Sequence, residues 1–362
     1  MATELTFPGF IDVHVHFRDP GVPDAETTAS GLAAAERGGF AAVVTMPNTA
    51  PAADSPEALA YQRRAAEIAA AAAGRELPRL LPSAAITLGR RGETLAPLEA
   101  LADAGAAFFT DDGTYVEDQR LLEAAMRRAA ELNMVVSQHA LSPRFTEAEA
   151  IRRDLEVCRV TGCRYHVQHI STAAGVELVL AAQREGLPVT AEATPHHLLL
   201  TRDDIPEDAF RGGAAASASG AIPPSTFFKM APPLATKEDR AELRRAVKAG
   251  ALMFATDHAP HPPAKKLVAY ADAANGIVGL ETAVAITYQA MVVEEAMPVE
   301  DWARAWHELP AAILLNHHSA ALLPRRETRV VIGEARAVDT ALFASLSRNC
   351  PYHGMKFTCW PL

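Results

Sequence analysis

Two histidines placed one residue apart are the first sign of chemistry in this chain. His14 and His16 lie in the apolar run PGFIDVHV, which gives way to the polar stretch HFRDPG. Residues i and i+2 of a strand point to the same face, so the two imidazoles project together. On one side of a buried strand they form either a metal site or a pair of polar groups that must be hydrogen-bonded at some cost.

Further imidazole and carboxylate groups follow other short apolar runs. They are Asp111 and Asp112 in FFTDDG, His139 in VVSQHA, His169 in HVQHIST and Asp257 in FATDHAPH. Neutral imidazoles combined with carboxylates suit a divalent ion such as Zn²⁺. The groups are too many for one tetrahedral ion and fit two ions bridged by a carboxylate. His166, three residues before His169, is expected to face the opposite side, and His196 and His197 are candidates for supporting the site.

These residues need a framework that brings distant strand ends together. Eight short strands are predicted at residues 9–15, 40–46, 79–87, 106–110, 134–138, 164–170, 188–194 and 252–256. Helical stretches alternate with them, at 25–39, 55–74, 94–105, 118–133, 147–162, 174–186 and 236–250. Such alternation is typical of a parallel barrel whose active site lies at the carboxyl ends of its strands. We therefore expect an α/β fold, a (β/α)8 TIM barrel, with the polar groups on one rim.

Two segments fall outside a minimal barrel. Residues 206–228 are rich in Gly, Ala, Ser and Pro and are expected to form a flexible insert. Residues 326–362 are β-like and irregular, so we expect a small, reduced β appendage there. The barrel itself is then expected to span residues 7–325.

Composition narrows the class of protein. Apolar residues make up 49% of the 362 residues, enough for a large core, and the net charge of −10 argues against nucleic acid as a partner. No run of about 20 apolar residues and no secretory signal pattern is present, so a cytoplasmic protein without membrane association is expected. The four cysteines lack zinc-ribbon spacing and are expected to be free thiols.

Six motifs in a fixed order carry a family resemblance. PGFIDVHVHFRDPG, MPNTAP, FFTDDG, VQHIST, TPHHL and FATDHAPH resemble the dihydroorotases of the amidohydrolase superfamily, in the bacterial branch with an aspartate metal bridge. The resemblance covers about residues 7–325, and a weaker similarity extends to SRNCPYHG. Many relatives bridge two metals with a carboxylated lysine. No lysine precedes Lys229 here, and the resemblance implies that Asp112 takes that place, with Asp111 beside it orienting backbone or water.

The resemblance also implies a reaction and its residues. Two zinc ions per chain would activate a water that opens the ring amide of L-dihydroorotate, and the reverse reaction would cyclise N-carbamoyl-L-aspartate in pyrimidine biosynthesis. The implied metal ligands are His14, His16 and Asp257 for one ion and His139 and His169 for the other, with Asp112 shared. Asp257 would also be catalytic, carrying the proton to the leaving nitrogen. The implied substrate-binding residues are Arg18, Asn48 and His261, which match the family's carboxylate-binding groups.

Two other functions stay open from the sequence. One is another cyclic amidase, allantoinase-like or hydantoinase-like, whose substrates need no clamp for a ring carboxylate. The other is a catalytically silent scaffold for aspartate transcarbamoylase, motivated by a short N-terminal segment and by Ala231, where the family often has an asparagine. The resemblance further implies a homodimer or a complex with that transcarbamoylase.

Overall fold

The structure, a computed structural model, describes residues 2–210, 224–314 and 326–362. The expected insert at 206–228 and the expected domain boundary at 325 lie largely outside the described residues. The strands are β1 (Thr3–Pro8), β2 (Phe10–Val15), β3 (Phe40–Thr45), β4 (Arg79–Pro82), β5 (Val135–Gln138), β6 (Arg164–Val167), β7 (Val189–Ala193), β8 (Met253–Phe254), β9 (Glu327–Ala337) and β10 (Lys356–Pro361). The α-helices are α1 (Thr28–Arg37), α2 (Pro56–Ala73), α3 (Leu98–Asp103), α4 (Gln119–Glu131), α5 (Glu147–Thr161), α6 (Ala173–Arg184), α7 (Pro195–Leu199), α8 (Lys237–Lys248), α9 (Pro263–Lys266), α10 (Ala283–Thr287), α11 (Val299–Trp306) and α12 (Glu308–Leu314).

Parallel strands form the frame of the molecule. β2, β3 and β4 make one parallel sheet, and β5, β6, β7 and β8 make another. The predicted strand at 106–110 is reduced to single parallel bridges, in which Phe109 joins Ala84 on one side and Val136 on the other. A further parallel bridge joins Val15, at the end of β2, to His258, just after β8. The first and last predicted strands therefore meet.

A third sheet combines the two ends of the described chain. β9 pairs antiparallel with β1, in the register Thr3 with Ile332 through Pro8 with Glu327, and β10 pairs with the other side of β9. The sequence places this β structure in residues 326–362 alone. The missed partner is β1, a strand of six residues in which only Leu5 and Phe7 are partly buried.

Helix boundaries follow the caps that the sequence predicts. Ser55 accepts a hydrogen bond from the backbone N–H of Ala58 at the start of α2, and Gly74 ends that helix in a left-handed conformation at φ 64°. Thr146 and Glu149 form a capping box at the start of α5. The predicted helices at 55–74 and 147–162 are thus confirmed to within a residue or two.

The parallel strands are buried on both faces, as expected of a sheet covered by helices. On the face of β2 that carries Phe10, the indole of Trp302 from α11 packs edge-on with ring centroids 5.4 Å apart. All four cysteines are free and buried, as expected. Among the described residues, no helix combines the length and apolar character needed to cross a membrane.

Candidate active site

The structure gathers the predicted ligands of separate strand ends around one carboxylate. Asp112 Oδ1 lies 3.4 Å from His14 Nε2, 3.7 Å from His139 Nδ1 and 3.6 Å from His169 Nε2, and Asp112 Oδ2 lies 3.3 Å from His16 Nε2. Two groups have all their ligand atoms within 4.8 Å of one another: His14, His16 and Asp112, and Asp112, His139 and His169. Asp112 belongs to both groups.

Asp257 completes the cluster from the end of β8. Its Oδ1 lies 3.0 Å from His16 Nε2 and 3.6 Å from His14 Nε2. Burial by itself raises the pKa of Asp257, but the hydrogen bond to His16 and the charge of His14 hold it below its ordinary value. Asp257 is therefore a carboxylate in a buried, imidazole-lined position.

Two hydrogen bonds fix the tautomers of the first pair of imidazoles. His14 Nδ1 donates to Glu192 Oε1 at 2.5 Å, since Glu192 is ionised with a pKa lowered to about 2. The Nδ1 of His16 lies 2.9 Å from Asn48 Oδ1, and donation there leaves the amide nitrogen of Asn48 toward the cavity. In both rings the Nε2 atom therefore faces the carboxylates of Asp112 and Asp257, where it either carries a proton, as in the 3.0 Å hydrogen bond from His16 to Asp257, or offers its lone pair to a metal ion.

Lone pairs facing carboxylate oxygens require a positive charge between them. Among the described residues, His14 Nε2 and Asp112 Oδ1 are buried side-chain atoms without a hydrogen-bond partner. Burial lowers the pKa of His14, but Asp112 and Glu192 raise it more, so that it stands well above its usual value. A proton or a metal ion satisfies this demand, and imidazole nitrogen with carboxylate oxygen is the donor set of zinc and similar ions. The residues present fit a divalent ion.

The second pair of imidazoles, His139 and His169, is also joined by a hydrogen bond. The Nδ1 of His139 lies 2.8 Å from the Nε2 of His169. Burial and the neighbouring His169 lower the pKa of His139 to about 3, so this ring is neutral at pH 7. A neutral ring offers the lone pair that a metal ligand needs.

All members of the cluster except His14 line a cavity of about 920 Å³, a volume within the range of small-molecule sites. The predicted carboxylate-binding residues Arg18, Asn48 and His261 all line it, as does Ala231. His261 Nε2 donates to the carbonyl of Asn275 at 2.7 Å, and burial together with Arg18 lowers the pKa of His261 to about 3. Arg18 is therefore the cationic member of this set.

Strained backbone marks the same cavity. Four of the six non-glycine residues with positive φ in the described chain line it: Arg18 at 57°, Arg90 at 56°, His169 at 30° and Asp257 at 48°. Such conformations persist where the surrounding structure imposes them, as at functional sites. Arg90 was not predicted from the sequence. Its Nη2 donates to the carbonyl of Asp112 at 2.6 Å, which fixes the backbone of the central carboxylate.

One prediction about this region is wrong and one is confirmed. His166 does not face away from the site, because its Nε2 lies 3.0 Å from the carboxylate of Glu192, the same group that holds His14. The i, i+3 argument failed because the chain leaves strand geometry after Val167 and turns at His169. Asp111 accepts the backbone N–H groups of Ile86 and Thr87, so it orients backbone, as expected.

Three other polar residues are buried near the site. Asp12 accepts hydrogen bonds from the backbone N–H of His14 at 3.2 Å and of Thr256 at 3.0 Å, which ties the ends of β2 and β8 together. The Nε2 of His197 lies 3.2 Å from the carbonyl of Pro232, next to the cavity wall. His196 is buried with its Nε2 unpartnered among the described residues. The sequence could have indicated Glu192 and Asp12 as part of the site, because each is an acidic residue within an apolar strand.

Comparisons with known proteins agree with this geometry. A family model described as dihydro-orotase-like matches residues 3–152. A dihydroorotase of Geobacillus sp. (strain WCH70) is 37% identical over 386 residues, covering 99% of this chain and 85% of the relative, and one of Bacillus caldolyticus is 36% identical with the same coverage.

Solved structures share the fold at lower identity. The L-hydantoinase (dihydropyrimidinase) of Arthrobacter aurescens superposes with a TM-score of 0.80 at 24% identity, covering 99% of this chain and 83% of that one. The D-hydantoinase (dihydropyrimidinase) of Thermus sp. superposes with a TM-score of 0.76 at 20% identity, covering 99% and 82%. The extent of the match to the curated relatives, together with the histidine–aspartate cluster, shows that this chain belongs to the dihydroorotase family of cyclic amidohydrolases.

Proposed function

We propose that this protein interconverts L-dihydroorotate and N-carbamoyl-L-aspartate in pyrimidine biosynthesis, with two zinc ions per chain. One observation carries the proposal: the partly buried guanidinium of Arg18 lines the same cavity as His16, His139 and His169, three of the four imidazoles arranged around Asp112. The imidazoles fit a dinuclear centre for amide hydrolysis, and the guanidinium fits a substrate whose ring carries a carboxylate.

The metal ligands are proposed from the two groups described above. One ion would be held by His14, His16 and Asp257, and the other by His139 and His169, with Asp112 shared by both. When bound, the pair of ions supplies a water activated at neutral pH and polarises the amide carbonyl.

The chain's own residues bind and orient the substrate. Arg18 and the amide N–H of Asn48 donate to the ring carboxylate. His261 keeps its Nε2–H on the carbonyl of Asn275, so it donates from the other side of that clamp through Nδ1, which takes up a proton when the carboxylate binds. Because His16 Nδ1 holds the carbonyl oxygen of Asn48, only the amide nitrogen is free for the substrate. The clamp thereby places the ring amide above the imidazole cluster.

Asp257 is proposed as the catalytic acid and base. A carboxylate oxygen of Asp257 takes the proton released when the water attacks, and returns it to the ring nitrogen as the amide bond breaks. In the direction of cyclisation, Asp257 removes a proton from the ureido nitrogen and delivers it to the departing oxygen. Its depressed pKa keeps it ionised before the substrate binds.

The proposal includes the wider organisation of the molecule. The bridges through Phe109 and between Val15 and His258 support a barrel closed by eight parallel strands. We assign residues 7–325 to this barrel, and residues 326–362, together with the preceding strand β1 that pairs with β9, to a small appendage. A cytoplasmic homodimer, with aspartate transcarbamoylase as a possible further partner, is proposed from the family resemblance and is testable by size-exclusion chromatography of the two proteins together.

The deciding experiment is turnover of a substrate panel by the purified protein. L-dihydroorotate, N-carbamoyl-L-aspartate, allantoin and hydantoin are each assayed with zinc, after chelation, and after zinc is restored. We expect turnover of the first two alone, lost on chelation and regained with zinc. Turnover of allantoin or hydantoin but not dihydroorotate would identify a different cyclic amidase, and a zinc-loaded protein without any turnover would identify a silent scaffold.

A further inference from the structure

His261 belongs to a loop, residues 259–276, that forms one wall of the cavity. We call this segment the clamp loop. Its two ends lie close together: a Cβ added to Gly276, whose φ is 130°, would come within 2.6 Å of the Cβ of Ala259. Near its end, the carbonyl of Asn275 accepts the hydrogen bond from His261 Nε2 at 2.7 Å. The orientation of this imidazole therefore depends on how the two ends of the clamp loop are held.

Asn349, from the C-terminal segment, holds both ends. Its Oδ1 accepts the backbone N–H of His261 at 3.2 Å. Its Nδ2 donates to the carbonyl of Ala259 at 3.1 Å and to the carbonyl of Gly276 at 3.0 Å. The side chain is 2% exposed and does not line the cavity. Both amide hydrogens of Asn349 and one lone pair of its oxygen therefore bind the clamp loop, and only the second lone pair does not.

Lys266 holds the same loop from within. Its Nζ donates to the carbonyls of Ala274 at 2.8 Å, Gly276 at 2.9 Å and Lys229 at 3.1 Å. The carbonyl of Gly276 thus accepts from both Lys266 and Asn349, and the residue next to it carries the acceptor for His261. Two side chains that do not contact the substrate cavity converge on one peptide of its wall.

We propose that Asn349 is a positioning residue for binding of the substrate carboxylate, acting through the clamp loop and His261. This inference rests on the proposed function, because it assigns the carboxylate to His261 and Arg18. The C-terminal segment then contributes to substrate specificity through Asn349. Loss of the Asn349 side chain displaces His261 and leaves the proposed metal ligands in place.

The test compares Asn349→Ala with Ser347→Ala. Ser347 is a matched control because it lies in the same segment, is 2% exposed, and donates its hydroxyl to the carbonyl of Ala25, away from the clamp loop. We expect Asn349→Ala to raise the KM for L-dihydroorotate about tenfold, in line with a weakened hydrogen bond to a charged group. The kcat stays within about threefold of the wild type, and the zinc content is unchanged. Ser347→Ala leaves the KM unchanged.

A second substrate and a second variant separate this role from a loss of folding. Dihydrouracil has the same ring without the carboxylate, so any turnover of it is unaffected by Asn349→Ala. Lys266→Met raises the KM for dihydroorotate in the same way and decides the matter if Asn349→Ala does not fold. The inference is overturned if the KM is unchanged in both variants, or if both variants lose kcat equally and their zinc content falls. In either case, turnover of dihydroorotate by the wild type still supports the proposed function. Absence of that wild-type turnover overturns both.

Discussion

Replacing Glu192 by glutamine tests whether the carboxylate that holds His14 sets the metal affinity of the proposed site. Glu192 is fully buried and accepts three hydrogen bonds: from His14 Nδ1 at 2.5 Å, from His166 Nε2 at 3.0 Å and from the backbone N–H of His169 at 3.1 Å. Glutamine has the same shape but one oxygen, so its amide nitrogen must face one of these donors. His166 accommodates it best, because its proton can move to Nδ1, 2.8 Å from the hydroxyl of Thr190.

The expected change in zinc affinity depends on which hydrogen-bond acceptors each variant of Glu192 keeps for His14. In Glu192→Gln, His14 keeps an acceptor but loses a charge-assisted hydrogen bond, a cost of about 1.4 kcal/mol, or about tenfold in the zinc dissociation constant. In Glu192→Ala, His14 and the backbone of His169 lose their acceptor altogether. The loss then approaches about 100-fold, the upper end for partners of metal-bound histidines.

The assay is a zinc titration of metal-free protein against a chromophoric chelator at pH 7, with unfolding by urea measured in parallel. Asp154→Asn is the matched control. Asp154 is also fully buried and accepts from Tyr115 and Tyr165 at 2.8 and 2.9 Å, and among the described residues no imidazole is one of its hydrogen-bond partners. We expect it to lose stability and keep its zinc affinity. Zinc affinity within twofold of wild type in Glu192→Gln, or an equal loss in Asp154→Asn, would refute the reasoning.

Three further predictions address the reaction and its environment. Asp257→Asn should keep its fold and at least one metal ion per chain but lose turnover by about 10³-fold or more, and near-normal kcat would remove Asp257 from proton transfer. Arg18→Gln should raise the KM for dihydroorotate about 10- to 100-fold and leave turnover of dihydrouracil unchanged; equal effects on both substrates would contradict a carboxylate clamp. Burial lowers the pKa of His197 from 6.5 to about 4, so between these values the unfolded chain binds a proton that the folded chain does not, and the free energy of unfolding falls as the pH falls. His197→Gln should remove about 3 kcal/mol of that fall between pH 7 and 4, measured by urea unfolding, and parallel pH profiles for variant and wild type would show that His197 is not the group responsible.

The clustering of the ligands was predictable because it depends on periodicity and on strand order. The spacing of His14 and His16 places both on one face of β2, and the remaining ligands follow predicted strands of a parallel sheet. No single feature of the sequence predicts that His14 and Asp257 are neighbours, although His14 Nε2 lies 3.6 Å from Asp257 Oδ1. The prediction came from assuming that strand ends meet, and the bridge between Val15 and His258 is the contact that satisfies it.

The residues that the sequence did not reveal act through long-range or backbone geometry. Arg90 stands in a loop, and nothing in its neighbours predicts that a positive φ aims its guanidinium at the carbonyl of Asp112. Asn349 lies 88 residues beyond His261, in a segment whose predicted role was only an appendage. Residue type and spacing report on local structure, whereas these contacts depend on how the last segment packs against the loops.

Buried carboxylates explain how ligands from separate strands share one geometry. Glu192, on β7, holds His14 of β2 and the backbone of His169 after β6. Asp12, on β2, accepts the N–H of Thr256, the residue before Asp257. Burying an acidic group is costly unless it is paired, and each of these is paired with donors from two or more segments. A shift of one segment would leave a buried acceptor unsatisfied, so these contacts fix the ligand positions before any metal or substrate binds.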